Sequence, residues 1–134
     1  MTTVVYTPDF LKHRGNPEVS ARAECTYKYF KMQGIQDFIE PHEFPEKYMK
    51  QVHTLKYLTS MKNNSNAFFE TGLFQNATVS ASGCLTAGEI LLKNEDKTAM
   101  VLNRPPGHHT HPDYGGGFCY LNNVAILAKY FQDH

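Results

Sequence analysis

The sequence predicts an α/β protein with a parallel sheet flanked by helices. Short runs of β-branched and apolar residues alternate with longer segments of helical periodicity, which is typical of strand–helix–strand units. One candidate strand, TAMVLN at 98–103, is apolar enough to be covered on both faces, as strands of parallel sheets are. Neither an internal repeat nor a linker interrupts the alternation, so we expect a single unit over residues 1–134.

The first half of the chain is predicted to contain two strands and three helices. Residues 3–7 (TVVYT) are β-branched or aromatic and end before Pro8, so they form the first strand, and DFIE at 37–40 is the candidate second strand. Capping and stop residues bound the helices. These helices run from Ser20 to about Gln33 before Gly34, from Pro45 to Val52, and from Thr54 through Met61.

The second half is predicted to form a helix, a strand and a final helix. Residues 78–92 are helical and carry a face of small residues that lets the helix lie close to a sheet, namely Ala81, Gly83, Ala87 and Gly88. The strand 98–103 follows. Residues 122–132 are apolar nearly all round, so the last helix is expected to be buried. KNNSN at 62–66 is expected to be a loop.

Composition limits the classes of partner and of cellular location. Apolar residues make up 41% of the 134 residues and aromatic residues 13%, which suits one domain with a core. Thirteen basic residues balance thirteen acidic ones, so neither nucleic acid nor a membrane is an expected partner. No apolar run reaches spanning length, and we expect no signal peptide. Three cysteines without CxxC spacing favour a reducing compartment, so we expect a cytoplasmic protein, with a nuclear location left open.

One segment, RPPGHHTHPDYGGGFCYLNN at 104–123, concentrates residues that perform chemistry. It leaves the carboxyl end of the predicted strand 98–103, which is the edge where ligands bind in open α/β sheets. The residues before His108 and His109 are stiff, and imidazoles titrate near neutrality, so this pair can divide the roles of proton acceptor and electrostatic stabiliser. The three glycines that follow let a substrate approach the backbone closely, and Phe118 can wall an apolar slot.

Each of these residues also has a non-catalytic interpretation. Paired histidines often lie at a surface or cap a helix, and a glycine run often forms a flexible loop. His108, His109 and His111 can instead be read as metal ligands, although HHxH lacks the helical spacing that places two imidazoles on one face. Cys119 lies between two aromatic residues and is expected to be a buried apolar residue rather than a nucleophile.

Taken together, RPPGHH followed by GGGFCYLNNVAILA resembles the zinc-dependent histone deacetylase superfamily, which includes acetylpolyamine and acetoin-utilisation-type amidohydrolases. Weaker similarity covers NPEVSARAECTY at 16–27, VHTLKYL at 52–58, and the segment from Glu70 to Leu92. The resemblance implies an arginase-like fold. Residues 1–134 would form a single partial domain, the amino-terminal portion of a deacetylase-type catalytic domain.

The resemblance also implies an activity and roles for individual residues. The activity is removal of an acetyl or related acyl group from an amine, such as acetyl-lysine or acetylpolyamine, with Zn²⁺ as the cofactor. By position, His109 matches the general base that later protonates the leaving amine, and His108 matches its electrostatic partner. The matched substrate-binding residues are Gly117, Phe118, Cys119 and Glu70, and the matched product-channel residue is Arg22. Four other histidines match no catalytic position and are expected at the surface or in helix packing: His13, His42, His53 and His111.

The family's zinc ligands have no match in this sequence. The resemblance places them on the strand after the last helix and later, so we expect them beyond residue 134, and Asp133-His134 has the wrong spacing for the family's Asp-x-His pair. We therefore expect no zinc bound by this chain alone and no activity in isolation. A second chain or a missing carboxy-terminal portion would complete the enzyme.

A rival interpretation belongs to a different class of protein. A partial parallel sheet exposes backbone edges and apolar helix faces, so the chain would serve as a non-catalytic interaction module or a fragment that needs a partner chain. His108 and His109 would then be inherited without a catalytic role.

Overall fold

The computed structural model describes residues 2–15, 17–63 and 72–134. Within these ranges three parallel strands form one sheet in the order β2–β1–β3. The strands are β1 (Thr2–Val5), β2 (Phe38–Ile39) and β3 (Thr98–Val101). The predicted α/β class with a parallel sheet is confirmed.

Helices connect and cover these strands. A 3-10 helix (Pro8–Leu11) follows β1, and the α-helices of the described residues are α1 (Ala21–Met32), α2 (Lys47–Lys50), α3 (Leu55–Lys62), α4 (Leu73–Leu92) and α5 (Asn123–Asp133). The larger core cluster lies between helices α2 to α5, and a smaller cluster joins the sheet to the side chains of α1 and the 3-10 helix. No helix in the described ranges combines the length and the apolar character that crossing a bilayer requires.

One predicted helix start and one predicted cap differ from the structure. Helix α4 begins at Leu73 rather than at 78, because Gly72 adopts a left-handed conformation (φ +79°) that precedes the first turn, and Leu73 and Ala77 extend its buried face. Ser20 precedes α1, but its side chain makes no capping hydrogen bond. Thr54 does cap α3 as predicted, since its side chain accepts a hydrogen bond from the backbone N–H of Tyr57 at 3.2 Å.

Two predictions of burial are wrong. Strand β3 is not covered on both faces: Thr98 and Met100, which share one face, are exposed, and Met100 is 45% exposed. Helix α5 is amphipathic rather than buried all round, with Ile126 buried and Val124 66% exposed. An apolar side chain can be buried, but whether it is buried depends on the elements that pack around it.

The small residues of α4 face two different neighbours. A Cβ atom on Gly83 would lie 3.0 Å from Cγ1 of Val101, so the helix approaches the sheet closely at this point, as predicted. A Cβ atom on Gly88 would lie 2.6 Å from Cδ1 of Leu127, so this glycine instead permits close contact with α5. Helix α4 therefore packs against both β3 and α5, the two elements that flank the histidine-containing segment.

Candidate active site

The segment that follows β3 is held by α4 as it leaves the sheet. The Ser80 hydroxyl donates to the Pro105 carbonyl at 2.7 Å, and the Asn103 side-chain amide donates to the Ser80 carbonyl at 3.0 Å. Asn123, the first residue of α5, donates to the same Pro105 carbonyl at 3.3 Å. The Arg104–Pro105 peptide bond is cis. These contacts set the direction in which the histidine pair leaves the sheet.

Arg104 joins this exit to the segment between the 3-10 helix and α1. Its buried guanidinium donates from Nε to Glu18 Oε2 at 2.8 Å and from Nη2 to the Glu18 carbonyl at 2.7 Å. Nη1 donates to the carbonyls of Phe10 and His13, both at 2.9 Å. Sequence reasoning missed this pair because its members are 86 positions apart, and no local pattern links them.

His108 and His109 lie side by side beyond this exit. Their ring centroids are 4.3 Å apart and the ring planes make an angle of 52°. Both residues line a cavity of about 710 Å³ at the carboxyl end of the sheet, together with Gly117 and Phe118. Two imidazoles this close can act on one bound group, so the tandem arrangement expected from the sequence is present.

The ring of His109 packs directly on Gly117. A Cβ atom at Gly117 would lie 2.7 Å from Cδ2 and 2.9 Å from Cγ of His109, and the residue has a φ of +56°, so glycine is required for both reasons. The next residue, Phe118, has a φ of +67°, a conformation that costs a non-glycine residue roughly 1–2 kcal/mol. Backbone strain of this kind is concentrated at functional sites, where the surrounding structure maintains it.

Cys119 lies beneath this turn. The residue is fully buried, and its thiol points to the Gly117 carbonyl, with Sγ 3.4 Å from that oxygen. Burial raises the pKa of the Cys119 thiol, so the thiolate needed for nucleophilic attack is disfavoured. The expectation of a buried apolar residue is confirmed, and its contact with substrate stays a prediction.

The remaining residues named from the sequence have different surroundings. Arg22 lines the same cavity, with its side chain 68% exposed and Nη1 3.7 Å from Glu18 Oε2. Glu70 lies outside the described residues. His111 stacks on Tyr114, with ring centroids 4.3 Å apart, instead of forming a metal site. Across residues 2–15, 17–63 and 72–134, no three His, Cys, Asp or Glu side chains converge in a way that could hold a metal ion.

Three further histidines were expected at the surface or in helix packing. His13 is buried and meets Tyr120 edge to face, with ring centroids 5.6 Å apart. The His42 side chain is 52% exposed, and its Nδ1 lies 2.8 Å from Glu89 Oε1. His53 is buried and hydrogen-bonded to the segment that carries the candidate site. No sequence signal distinguishes His53 from the other two.

Comparison with known proteins identifies the family. Residues 16–134 match the histone deacetylase domain, so the chain belongs to the histone deacetylase family. A probable deacetylase of Archaeoglobus fulgidus is 32% identical over 146 aligned residues, which cover 97% of this chain and 41% of the relative. The acetylpolyamine amidohydrolase 2 of Pseudomonas aeruginosa is 41% identical over 70 residues, which cover 52% of this chain and 20% of that protein.

A solved structure shows the same fold. The crystal structure of the HDA15 HD domain superposes with a TM-score of 0.86 at 22% identity, and the match covers 98% of this chain and 43% of that chain. The deacetylase-type, arginase-like α/β fold expected from the sequence is therefore confirmed. The chain spans about two fifths of the length of the Archaeoglobus relative.

Proposed function

We propose that this chain supplies the acid/base histidines of a zinc-dependent amidohydrolase that removes an acetyl or related acyl group from an amine. Acetyl-lysine and acetylpolyamines are the substrates expected from the family resemblance. The supporting observation is the pair of imidazoles, His108 and His109, 4.3 Å apart on a cavity at the carboxyl end of the sheet. Hydrolysis of an amide needs a proton removed from the attacking water and a proton delivered to the leaving amine, and a positioned imidazole does both.

The proposed roles follow the placement of each residue. His109, packed on Gly117, takes the proton from water and returns it to the amine, while His108 stabilises the charge that develops beside it. The Gly117 carbonyl accepts the substrate amide N–H, and Phe118 forms one wall of the acyl slot. Cys119 lies below that slot. Glu70 is proposed to orient the substrate at the rim, and Arg22 to attract the carboxylate product.

The residues described in this chain do not fit a zinc ion. We propose that the zinc ligands belong to the part of the enzyme that residues 1–134 do not contain, since the chain covers 41% of the Archaeoglobus relative. That part is either a carboxy-terminal continuation or a second chain. Residues 1–134 are then one partial domain of the catalytic unit.

The test compares the chain alone with a completed enzyme. Residues 1–134 are joined to the corresponding carboxy-terminal portion of the Archaeoglobus relative, and hydrolysis of an acetyl-lysine peptide and of an N-acetylpolyamine is measured with Zn²⁺. We expect turnover only from the joined enzyme. His109→Ala should lower kcat by about 100- to 10,000-fold, the usual contribution of a positioned acid/base. His42→Ala, which alters an exposed histidine paired with Glu89, is the control.

Two results would count against the proposal. Zinc-dependent turnover by residues 1–134 alone would show that the metal site does not require a further segment. Equal kcat in the His109→Ala and His42→Ala enzymes would show that His109 does not act on the substrate.

A second candidate function is favoured by the open edge of the sheet. Within the described residues β3 pairs only with β1, and Met100 on it is exposed. Such an edge pairs readily with another strand, which is how an interaction module would use it. A native mass spectrum reports the state of assembly: 15.3 kDa indicates an isolated chain, and a heavier species with a second chain and zinc indicates a split enzyme. His109→Ala should leave partner binding intact if the chain is an interaction module.

A further inference from the structure

His53 bridges the two ends of the segment that carries Gly117. Its Nε2 lies 2.9 Å from the backbone nitrogen of Asn122, and its Nδ1 lies 3.3 Å from the carbonyl oxygen of Pro112. The residue is 3% exposed, so water does not replace either contact. One imidazole therefore connects two points that are separated by the whole glycine-rich turn.

The two contacts require one protonation state of this ring. A backbone N–H can only donate, so Nε2 must be unprotonated to accept from Asn122. A carbonyl can only accept, so Nδ1 must carry the proton that is donated to Pro112. Only the neutral Nδ1–H tautomer of His53 satisfies both. Burial acts in the same direction, since it lowers the pKa of His53.

Two neighbouring residues strengthen the same attachment, and with His53 they form the α3 anchor (His53, Thr54 and Tyr57). The backbone N–H of Thr54 donates to the Pro112 carbonyl at 3.0 Å. The Tyr57 hydroxyl donates to the Tyr120 carbonyl at 2.6 Å, and burial raises the pKa of Tyr57, so this donor keeps its proton. The α3 anchor therefore holds the turn before and after the glycines.

The turn between these contacts determines where the ring of His109 lies. Gly117 is inside the bridged segment and touches that ring, because a Cβ there would come within 2.7 Å of it. Gly115 lies against the Tyr57 hydroxyl, which would be 2.8 Å from a Cβ at that position. A change in the spacing between residues 112 and 122 would thus move the surface on which His109 rests.

We propose that His53, as the neutral Nδ1–H tautomer, is a positioning residue that holds Gly117 in its packing contact with the ring of His109. His53 is not among the residues that line the cavity, so its effect is transmitted through the backbone of the turn. The catalytic consequence rests on the function proposed above. The placement of the turn and the tautomer of the ring do not depend on it.

Two substitutions of His53 separate its contacts. His53→Gln can place an amide oxygen near the former Nε2 and retain an acceptor for Asn122. His53→Asn can place an amide nitrogen near the former Nδ1 and retain only the donor to Pro112. His53→Ala removes both. His42→Gln is the matched control, because it changes an exposed histidine that pairs with Glu89.

The first measurement is a pair of ¹H–¹⁵N spectra of the uniformly ¹⁵N-labelled chain: a long-range spectrum that reports the protonation of each histidine ring nitrogen, and a spectrum of the backbone amides. We expect His53 to be neutral, with the proton on Nδ1, and we expect backbone amide shifts at Gly117 and His109 to change in His53→Ala but not in His42→Gln. A protonated His53 at neutral pH, or the opposite tautomer, would overturn the proposal. Unchanged amide shifts at Gly117 in a folded His53→Ala chain would do the same.

The second measurement is kinetic and uses the joined enzyme. Misplacing a catalytic group by about 1 Å costs about 100-fold, so His53→Ala should lower kcat by up to about that factor with little change in KM. His53→Gln should recover most of the loss, whereas His53→Asn, which lacks the acceptor for Asn122, should recover less. A kcat equal to the His42→Gln control would refute the positioning role. If His109→Ala were also without effect, the proposed function would fail, whereas the spectra would still decide the tautomer and the turn.

Discussion

Replacing Gly117 with alanine tests how the ring of His109 is held. The new Cβ would lie 2.7 Å from Cδ2, 2.9 Å from Cγ and 3.1 Å from Cβ of His109. Carbon atoms in favourable contact are about 3.5–4.0 Å apart, so either the ring or the turn must move by about 1 Å. The φ of +56° adds a second cost, because alanine is disfavoured in this region.

The structure gives a magnitude for each effect. A left-handed alanine costs roughly 1–2 kcal/mol, so the free energy of unfolding should fall by about that amount. A displacement of about 1 Å at a catalytic group costs about 100-fold in rate. This factor corresponds to about 2.7 kcal/mol of lost transition-state stabilisation. The loss should appear in kcat if the ring of His109 moves. If the turn moves instead, KM should rise as well, because the Gly117 carbonyl is proposed to accept the substrate amide N–H.

Gly116→Ala is the matched control, one position away. A Cβ there would have no heavy atom within 4 Å, and the φ of Gly116 lies outside the left-handed region. We expect a gain of about 0.4–1 kcal/mol in stability, because alanine restricts the unfolded chain, and no change in kcat. Urea unfolding of the chain and steady-state kinetics of the joined enzyme measure the two effects.

Two outcomes would refute the reasoning. Equal kcat in Gly117→Ala and Gly116→Ala, with stability lost only in the former, would show that Gly117 does not set the position of His109. Equal stability of the two variants would show that the turn readily accepts a side chain at Gly117.

Three other substitutions test separate features. Arg104→Met removes the buried partner of the Glu18 carboxylate and leaves only the exposed Arg22 at 3.7 Å, so urea titration should show a loss of about 3–5 kcal/mol. Lys28→Met at an exposed pair should lose less than about 1 kcal/mol, and similar losses in the two variants would contradict this. Burial lowers the pKa of His53 below 6.5, so the unfolded state binds the proton more tightly and stability falls as pH drops from about 6.5 towards the lower folded pKa. His53→Gln should flatten the dependence of Tm on pH in that window, and an unchanged slope would show that another group is responsible. Because Phe118 has a φ of +67°, Phe118→Gly should be more stable to heat than Phe118→Ala by about 1 kcal/mol, and the reverse order would argue against strain at this residue.

Local physical chemistry made much of the fold predictable. The β-branched residues of β1 and the side-chain cap at Thr54 act within a few positions of the chain, so their effects are visible in the sequence. The tandem histidines were predicted for a similar reason, because their proximity follows from adjacency in the chain. The start of α4 was predicted less well, because the first turns are stabilised by packing of Leu73 in the core rather than by a recognisable cap.

The sequence by itself determined the α/β class and the family, because each depends on nearby residues or a contiguous motif, and the acid/base roles of His108 and His109 stay a prediction from that motif. Only the tertiary structure decided that Arg104 pairs with Glu18, 86 positions away, and that His53 reaches Asn122, 69 positions away. It also decided that Met100 is exposed on an edge strand. Burial and long-range hydrogen bonds depend on which elements the chain topology brings together, and that information is not local to any segment.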